Sequence, residues 1–292
     1  MTSVTAGASG QFMIDGTLEV NRLGYGTMQL TGPGVWGPPA DPDEAVRVLR
    51  RAAELGVNLF DTADAYGPLV AEPLLHRALA PYDENIVIAT KAGFTRQGPD
   101  QWTPVGRPAY LRQECEMSLR ILGVDRIALF QLHRVDPEVP LEDQIGELKA
   151  LKDEGKIAHI GLSEVSVDQI EESRAIAPIA SVQNRYNLAD RAAEDVLDYC
   201  ENHQIAFIPW FPLATGDLVK SGGPLEAIAS RLSATPSQLA LAWLLRRSPV
   251  LLPIPGTASV EHLEQNVAAA GVQLTDDDVA ELTAAVTSPG CE

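Results

Sequence analysis

Cysteine is scarce in this chain of 292 residues, with three in all. Cys115, Cys200 and Cys291 stand far apart, and none belongs to a CxxC pair. Such a set excludes a disulfide framework and a structural zinc site, and no metal is expected. Basic residues are also few: 22 Lys and Arg stand against 40 Asp and Glu, a formal net charge of −18. So acidic a surface repels nucleic acid and anionic lipid. No apolar run approaches the ~20 residues that a membrane helix needs. The opening stretch MTSVTAGASGQF has neither the basic start nor the apolar core of a secretory signal. These absences point to a reducing cytoplasmic setting with no nucleic-acid or membrane partner, and they name no oligomeric state.

What is present is an alternation. Short apolar runs fall at 20–26, 57–60, 85–91, 127–133, 156–163, 179–184, 205–210 and 250–255. Their length and β-branched content suit strands buried on both faces. Amphipathic segments lie between them. In 41–56, Asp41 suits an N-cap, Pro42 the first turn, and Ala45, Val48, Leu49 and Ala52 repeat at helical spacing before Gly56. Residues 141–155, 192–203 and 236–248 read the same way. Eight strands, each followed by a helix, with no shift in composition, predict an α/β fold: one (β/α)8 TIM barrel over 1–292. An open doubly wound sheet is the alternative, but GYGTMQ (24–29) lacks the third glycine of its nucleotide fingerprint. Asp15-Gly16 predicts a hairpin that plugs the barrel bottom. Residues 274–286 predict an extra C-terminal helix, and 1–11 a flexible lead.

One stretch asks for chemistry. FDTADAYG (60–67) places an acid and a phenol five positions apart where a strand should end. Strand C-termini form the working face of such a barrel. Asp61, Lys91 and His133 fall at three consecutive ends, with Tyr66 in the loop beyond the first. Their types suit giving a proton to a carbonyl oxygen. A free phenol has a pKa near ~10 and is a poor acid at neutral pH. An ammonium beside it favours the phenolate, so Lys91 should lower that pKa, with Asp61 holding Lys91 charged. His133 would donate to the same carbonyl oxygen. Each residue alone is more often structural; the joint placement is what argues for a site.

The ordered set FDTADAYG, TKAG (90–93), LHRVD (132–136), GKIAHIGLS (155–163), VQNRYN (182–187), PLATGDL (212–218) and IPGT (254–257) resembles the aldo-keto reductase superfamily over roughly residues 20–270. Residues 21–39 resemble its bacterial pyridoxal reductase-like subgroup. The resemblance implies hydride transfer from NADPH, with NADH a weaker alternative, to a small carbonyl compound. It implies a catalytic tetrad of Asp61, Tyr66, Lys91 and His133, with Tyr66 the general acid. Ser163 and Gln183 would hold the nicotinamide carboxamide, although Glu164 stands where asparagine is usual. Trp210 would stack on the nicotinamide, Gly216 and Leu218 would fold over the pyrophosphate, and Gly256, Thr257, His262, Gln265 and Asn266 would meet the adenosine. No Arg or Lys lies between 258 and 264 for a 2′-phosphate.

Tyr25, Trp36, Phe94, Trp102 and Arg134 are the candidate substrate walls. Aromatic faces with one cation suit a flat carbonyl compound such as pyridoxal. Arg134 either meets an anionic oxygen or pairs with Asp136. Trp36 either overhangs the substrate or packs its own loop. A second reading of the whole chain is a cofactor-sensing barrel that modulates a partner protein, as the β subunits of potassium channels do.

Overall fold

The chain opens with the hairpin that Asp15-Gly16 predicts. Strands β1 (Gln11–Ile14) and β2 (Leu18–Asn21) pair antiparallel. Asp15 (φ 47°) and Gly16 (φ 67°) both take the left-handed conformation that a two-residue hairpin turn requires. Ile14 and Val20 are fully buried among Leu59, Val87, Leu129 and Leu252, side chains of the barrel interior. The hairpin therefore stoppers the barrel from below. The computed structural model describes residues 4–213 and 225–287. Within 1–11, expected to be loose, the described residues are anchored: the Ala6 amide donates to Leu55 O (2.8 Å) and the Leu23 amide to Ser9 Oγ (3.0 Å).

The barrel staves follow as β3 (Tyr25–Gly26), β4 (Leu59–Asp61) and β5 (Val87–Ala92). A small hairpin comes next, β6 (Phe94–Gly98) with β7 (Gln101–Pro104), and was not foreseen. Then come β8 (Ile127–Leu132), β9 (Ile157–Ser163), β10 (Ile179–Gln183) and β11 (Ala206–Phe207). Seven of these form one sheet in the order β3-β4-β5-β8-β9-β10-β11, every pair parallel. The eighth expected strand, 250–255, is present as a rail and not as a regular strand. Phe207 N donates to Val250 O (2.9 Å), Leu252 N to Phe207 O (2.8 Å) and Gly24 N to Pro253 O (3.0 Å), which closes the ring between β11 and β3. Pro253 and Pro255 have no N–H to offer, so the ladder cannot continue. The seam is tight: a Cβ on Gly26 would lie 2.8 Å from Ile254 O, and one on Gly256 2.7 Å from Gly26 O.

Helices wrap the outside: α1 (Pro42–Glu54), α2 (Ala71–Leu79), α3 (Pro108–Leu122), α4 (Leu141–Asp153), α5 (Val167–Arg174), α6 (Glu194–His203), α7 (Glu226–Leu232), α8 (Pro236–Arg247) and α9 (Val260–Ala268). The predicted final helix is α10 (Asp276–Thr287). Asp41 caps α1 as expected, accepting from the amides of Asp43 and Glu44 (both 2.9 Å). The apolar stripe Ala45, Val48, Leu49, Ala52 is buried against the sheet. Each such aliphatic side chain contributes about 1.5–3 kcal/mol when fully buried. Among the described residues no helix is long and apolar enough to cross a membrane.

Candidate active site

The site grows from one polar layer inside the barrel mouth. Asp61 ends β4, and Lys91 lies one residue from the end of β5. Lys91 Nζ donates to Asp61 Oδ2 (2.6 Å) and Thr62 O (2.8 Å). The other carboxylate oxygen accepts from Gln183 Nε2 (2.8 Å) and Gln131 Nε2 (3.3 Å). Lys91 is 0% exposed and Asp61 2%. Buried charges survive only when paired and fully hydrogen-bonded, and these two are. Burial alone would pull the Lys91 ammonium down, but Asp61 and the Tyr66 phenol outweigh it, and its pKa lies above the ordinary value. Gln131 was missed in the sequence. It lies in β8 two residues before His133, which follows the strand.

The third donation of Lys91 is to Tyr66 OH, at 3.3 Å. The loop after β4 turns straight into α2, and Ala71 N bonds Tyr66 O (3.2 Å), so the phenol is carried on a short, fixed crossing. Lys91 also lies 5.0 Å from the Tyr66 ring centroid. One expectation is corrected here. Burial pushes the phenol above its ordinary value, and the downward pull of Lys91, opposed in turn by Asp61, does not overcome it. Tyr66 is therefore protonated throughout the neutral range. His133 follows β8, its ring edge-on to Tyr66 at 5.8 Å and to Phe94 at 4.7 Å between centroids. Burial, then Lys91, Arg134 and Arg96, hold its pKa well below the usual imidazole value. A neutral ring carries one N–H to donate. Its Nδ1 has no partner among the described residues.

The β6–β7 hairpin roofs one side of the mouth. Phe94 and Trp102 pack edge-on (5.2 Å) and both line the cavity. Trp102 is fixed by Arg96, whose guanidinium lies 3.5 Å from its ring centroid. The same guanidinium donates to five carbonyls: Gln101 O (2.9 Å), Val35 O (2.9 Å), Ala65 O (2.7 Å), Gly34 O (2.9 Å) and Gly98 O (3.3 Å). Three separate loops thus meet on one side chain, including the residue before Tyr66. Trp36 lies on this cation too, at 5.7 Å, is 37% exposed and does not line the cavity. It packs against its own loop through Arg96. Tyr25 is likewise no wall: its register mate is Phe60, both rings point out toward the helices, and its hydroxyl donates to Thr257 O.

The cavity itself measures ≈ 670 Å³. Tyr66, His133 and Arg134 border it together with Ser163, Gln183, Trp210 and Gly256. Ser163 Oγ donates to Gln183 O (2.9 Å) and accepts from Arg134 Nη1 (3.0 Å). Glu164, at φ 55°, turns its carboxylate to the Arg185 amide and to Trp210 Nε1, both at 2.6 Å. The unusual glutamate therefore clamps the indole. These hydroxyl, amide and indole groups fit a nicotinamide, and they stand in the same cavity as the phenol. Thr257 and Asn266 are buried at the start and on the inner face of α9, and His262 and Gln265 are exposed on it. None of these four lines the main cavity. Gly216 and Leu218 lie outside the described residues.

The barrel mouth thus brings a phenol, an imidazole and a buried ion pair to one cavity. The Aldo/keto reductase family model matches residues 22–287, and the chain belongs to that family. It is 52% identical to an uncharacterised oxidoreductase of Schizosaccharomyces pombe over 281 residues, 96% of this chain and 91% of that one. It is 44% identical to the pyridoxine 4-dehydrogenase of Escherichia coli over 268 residues, 90% of this chain and 93% of that one. An aldo-keto reductase from Klebsiella pneumoniae, solved in complex with NADPH, superposes with a TM-score of 0.80 at 26% identity, covering 99% of this chain and 97% of that one.

Proposed function

We propose that the protein reduces a flat aromatic aldehyde, pyridoxal first among them, to the alcohol with NADPH, and that Tyr66 supplies the proton. The observation that carries this reading is the 3.3 Å contact of Tyr66 OH with buried Lys91 Nζ, beside neutral His133, in a cavity whose other wall is Ser163, Gln183 and Trp210. The relative named pyridoxine 4-dehydrogenase and the structural neighbour solved with NADPH support the substrate and the cofactor.

When bound, the cofactor supplies a hydride to the carbonyl carbon. Ser163 and Gln183 would hold its carboxamide, and Trp210, clamped by Glu164, would offer its ring a face. His133 and Tyr66 both donate to the carbonyl oxygen and so polarise it. A phenol raised above its ordinary pKa keeps its proton until negative charge gathers on that oxygen, and only then transfers it. The phenolate left behind lies beside Lys91, whose charge Asp61 maintains. Buried charges of opposite sign at this distance interact far more strongly than in water. Phe94 and Trp102 keep bulk water from one side of the reacting bond.

NADPH oxidation followed at steady state with pyridoxal, benzaldehydes and short aliphatic aldehydes tests the reading. Turnover should favour the aromatic compounds. Tight NADPH binding without oxidation by any aldehyde would replace it with the cofactor-sensing barrel.

A further inference from the structure

Charge at the catalytic centre is closed. Asp61 and Lys91 cancel, and burial keeps Tyr66 and His133 neutral. Two charged side chains are left in the cavity lining: Asp100, exposed at its rim, and Arg134, partly buried beside the reacting centre. Arg134 forms no ion pair among the described residues. Asp136, the acid nearest in sequence, turns instead to the backbone, accepting from Gly106 N (2.8 Å) and Glu138 N (2.9 Å). Glu164 pulls on Arg134 electrostatically, but one of its carboxylate oxygens accepts from both Arg185 N and Trp210 Nε1.

Arg134 is anchored through a single nitrogen. Nη1 donates to His133 O (2.6 Å) and to Ser163 Oγ (3.0 Å). A guanidinium has five N–H groups, so the three on Nε and Nη2 have no acceptor among the described residues. Its carbon sits 5.4 Å from the Phe94 ring centroid, and burial is the largest influence on its pKa, which it lowers. A partly buried cation, held in place and without an ion-pair partner, keeps N–H groups free to receive an anion. Its free N–H fork matches the two oxygens of a carboxylate or the single oxygen of a phenolate. A nicotinamide carboxamide is neutral and would not compensate it.

Arg134 also follows His133 directly in the chain, and His133 with Tyr66 marks where the carbonyl oxygen belongs. The compensating anion must therefore lie close to the reacting carbonyl. We propose that Arg134 receives an anionic oxygen carried by the substrate itself, so that the preferred substrates are flat aldehydes bearing a carboxylate or phenolate. This rests on the carbonyl-reductase reading of the same cavity. Pyridoxal, with its ring hydroxyl beside the aldehyde, meets the condition, and so do carboxybenzaldehydes.

The test compares kcat/KM for the three carboxybenzaldehyde isomers with that for their methyl esters, in the wild type, Arg134→Gln and Arg134→Lys. In the wild type at least one acid should exceed its ester by about 10- to 100-fold, the range of one charge-assisted contact. Arg134→Gln should bring that ratio to about one, and Arg134→Lys, which keeps charge but not the fork, should retain part of it. Esters equal to acids in the wild type, or a ratio that survives in Arg134→Gln, would overturn the proposal. So would Arg134→Gln weakening NADPH binding in a fluorescence titration while acid and ester fall together, because Arg134 would then serve the cofactor. If no aldehyde is turned over, the reductase reading alone has failed. Calorimetric titration of benzoate into wild type and Arg134→Gln then decides: binding lost in the variant supports the anion receptor, and equal affinity overturns it.

Discussion

Replacing Arg96 by alanine should loosen the roof of the site without loosening the barrel. The side chain donates five hydrogen bonds to carbonyls at residues 34, 35, 65, 98 and 101 and lies on the Trp102 ring. Arg96 is half-exposed, so water replaces part of each bond; about 0.5–1 kcal/mol apiece is a fair value. A cation–π contact at such a site adds about 0.5–1 kcal/mol. The roof then loses about 3–6 kcal/mol of its resistance to opening, a factor of roughly 10² or more in local equilibrium. Amide exchange should report this at Gly67 and Asp100, whose N–H groups bond Val35 O and Gly34 O, while the β9 amides keep their protection. Ala65 immediately precedes Tyr66, so kcat should fall about 10- to 100-fold, the cost of misplacing a reacting group by about an ångström. Arg96→Lys should resemble the alanine variant, since an ammonium cannot lie flat on an indole and fork to five carbonyls. Turnover within about threefold of wild type, with unchanged exchange at Gly67, would refute the reasoning.

Tyr66→Phe should lower kcat by roughly 10²–10⁴ while leaving NADPH affinity nearly intact, and wild-type-like turnover would remove the phenol from the mechanism. Because burial raises the phenol above its ordinary 10.0, the acid form persists as pH rises, and the rate of reduction should stay level through pH 9 and fall only beyond the ordinary phenol range; a midpoint below 9 in the pH–rate profile would contradict this. Lys91→Met leaves the Asp61 carboxylate buried without its cation and should cost about 3–5 kcal/mol in urea unfolding. Adding Asp61→Asn should recover part of that loss, and a double variant no more stable than the single one would count against the pair. Ala258→Arg, placed where no cation precedes Glu264, should tighten NADPH more than NADH in calorimetric titration. Equal gains for the two cofactors would mean that residue 258 faces away from the 2′-phosphate.

Features carried by local chemistry were legible in the sequence. The Asp15-Gly16 turn needs left-handed backbone at both positions, and only a few residue types accept it. Asp41 caps its own helix three residues on. The polar ends of β4, β5 and β8 stood out because apolar runs do not end in Asp, Lys and His by accident. What stayed hidden depended on register or on distant partners. Tyr25 belongs to a two-residue strand, too short for alternation to set its face; its outward direction follows from pairing with Phe60, 35 positions away. The hairpin at 94–104 has no clean alternation, because its residues answer to the Arg96 cation and not to a buried face. Trp36 packs on that same cation. The phenol shows the limit of reading charges by neighbour alone: the lysine was visible, but the depth of burial that outweighs it was not.

The mouth of the barrel is sorted along the chain. Asp61, Tyr66, Lys91, His133 and Arg134 precede α4, while Ser163, Gln183, Trp210 and Gly256 follow it. A crossover inside α4 would therefore recombine one protein's half bearing the phenol and the buried pair with another's opposing wall, as two exchangeable cassettes. Side-chain sutures cross the joint: Gln183 Nε2 reaches back to Asp61 Oδ1, and Arg134 Nη1 reaches forward to Ser163 Oγ. Chimeras that keep a glutamine at 183 should retain the buried pair in working order, and those that lose it should carry a carboxylate short of one donor. Shuffling at this single site would separate substrate choice from cofactor choice in one generation of variants.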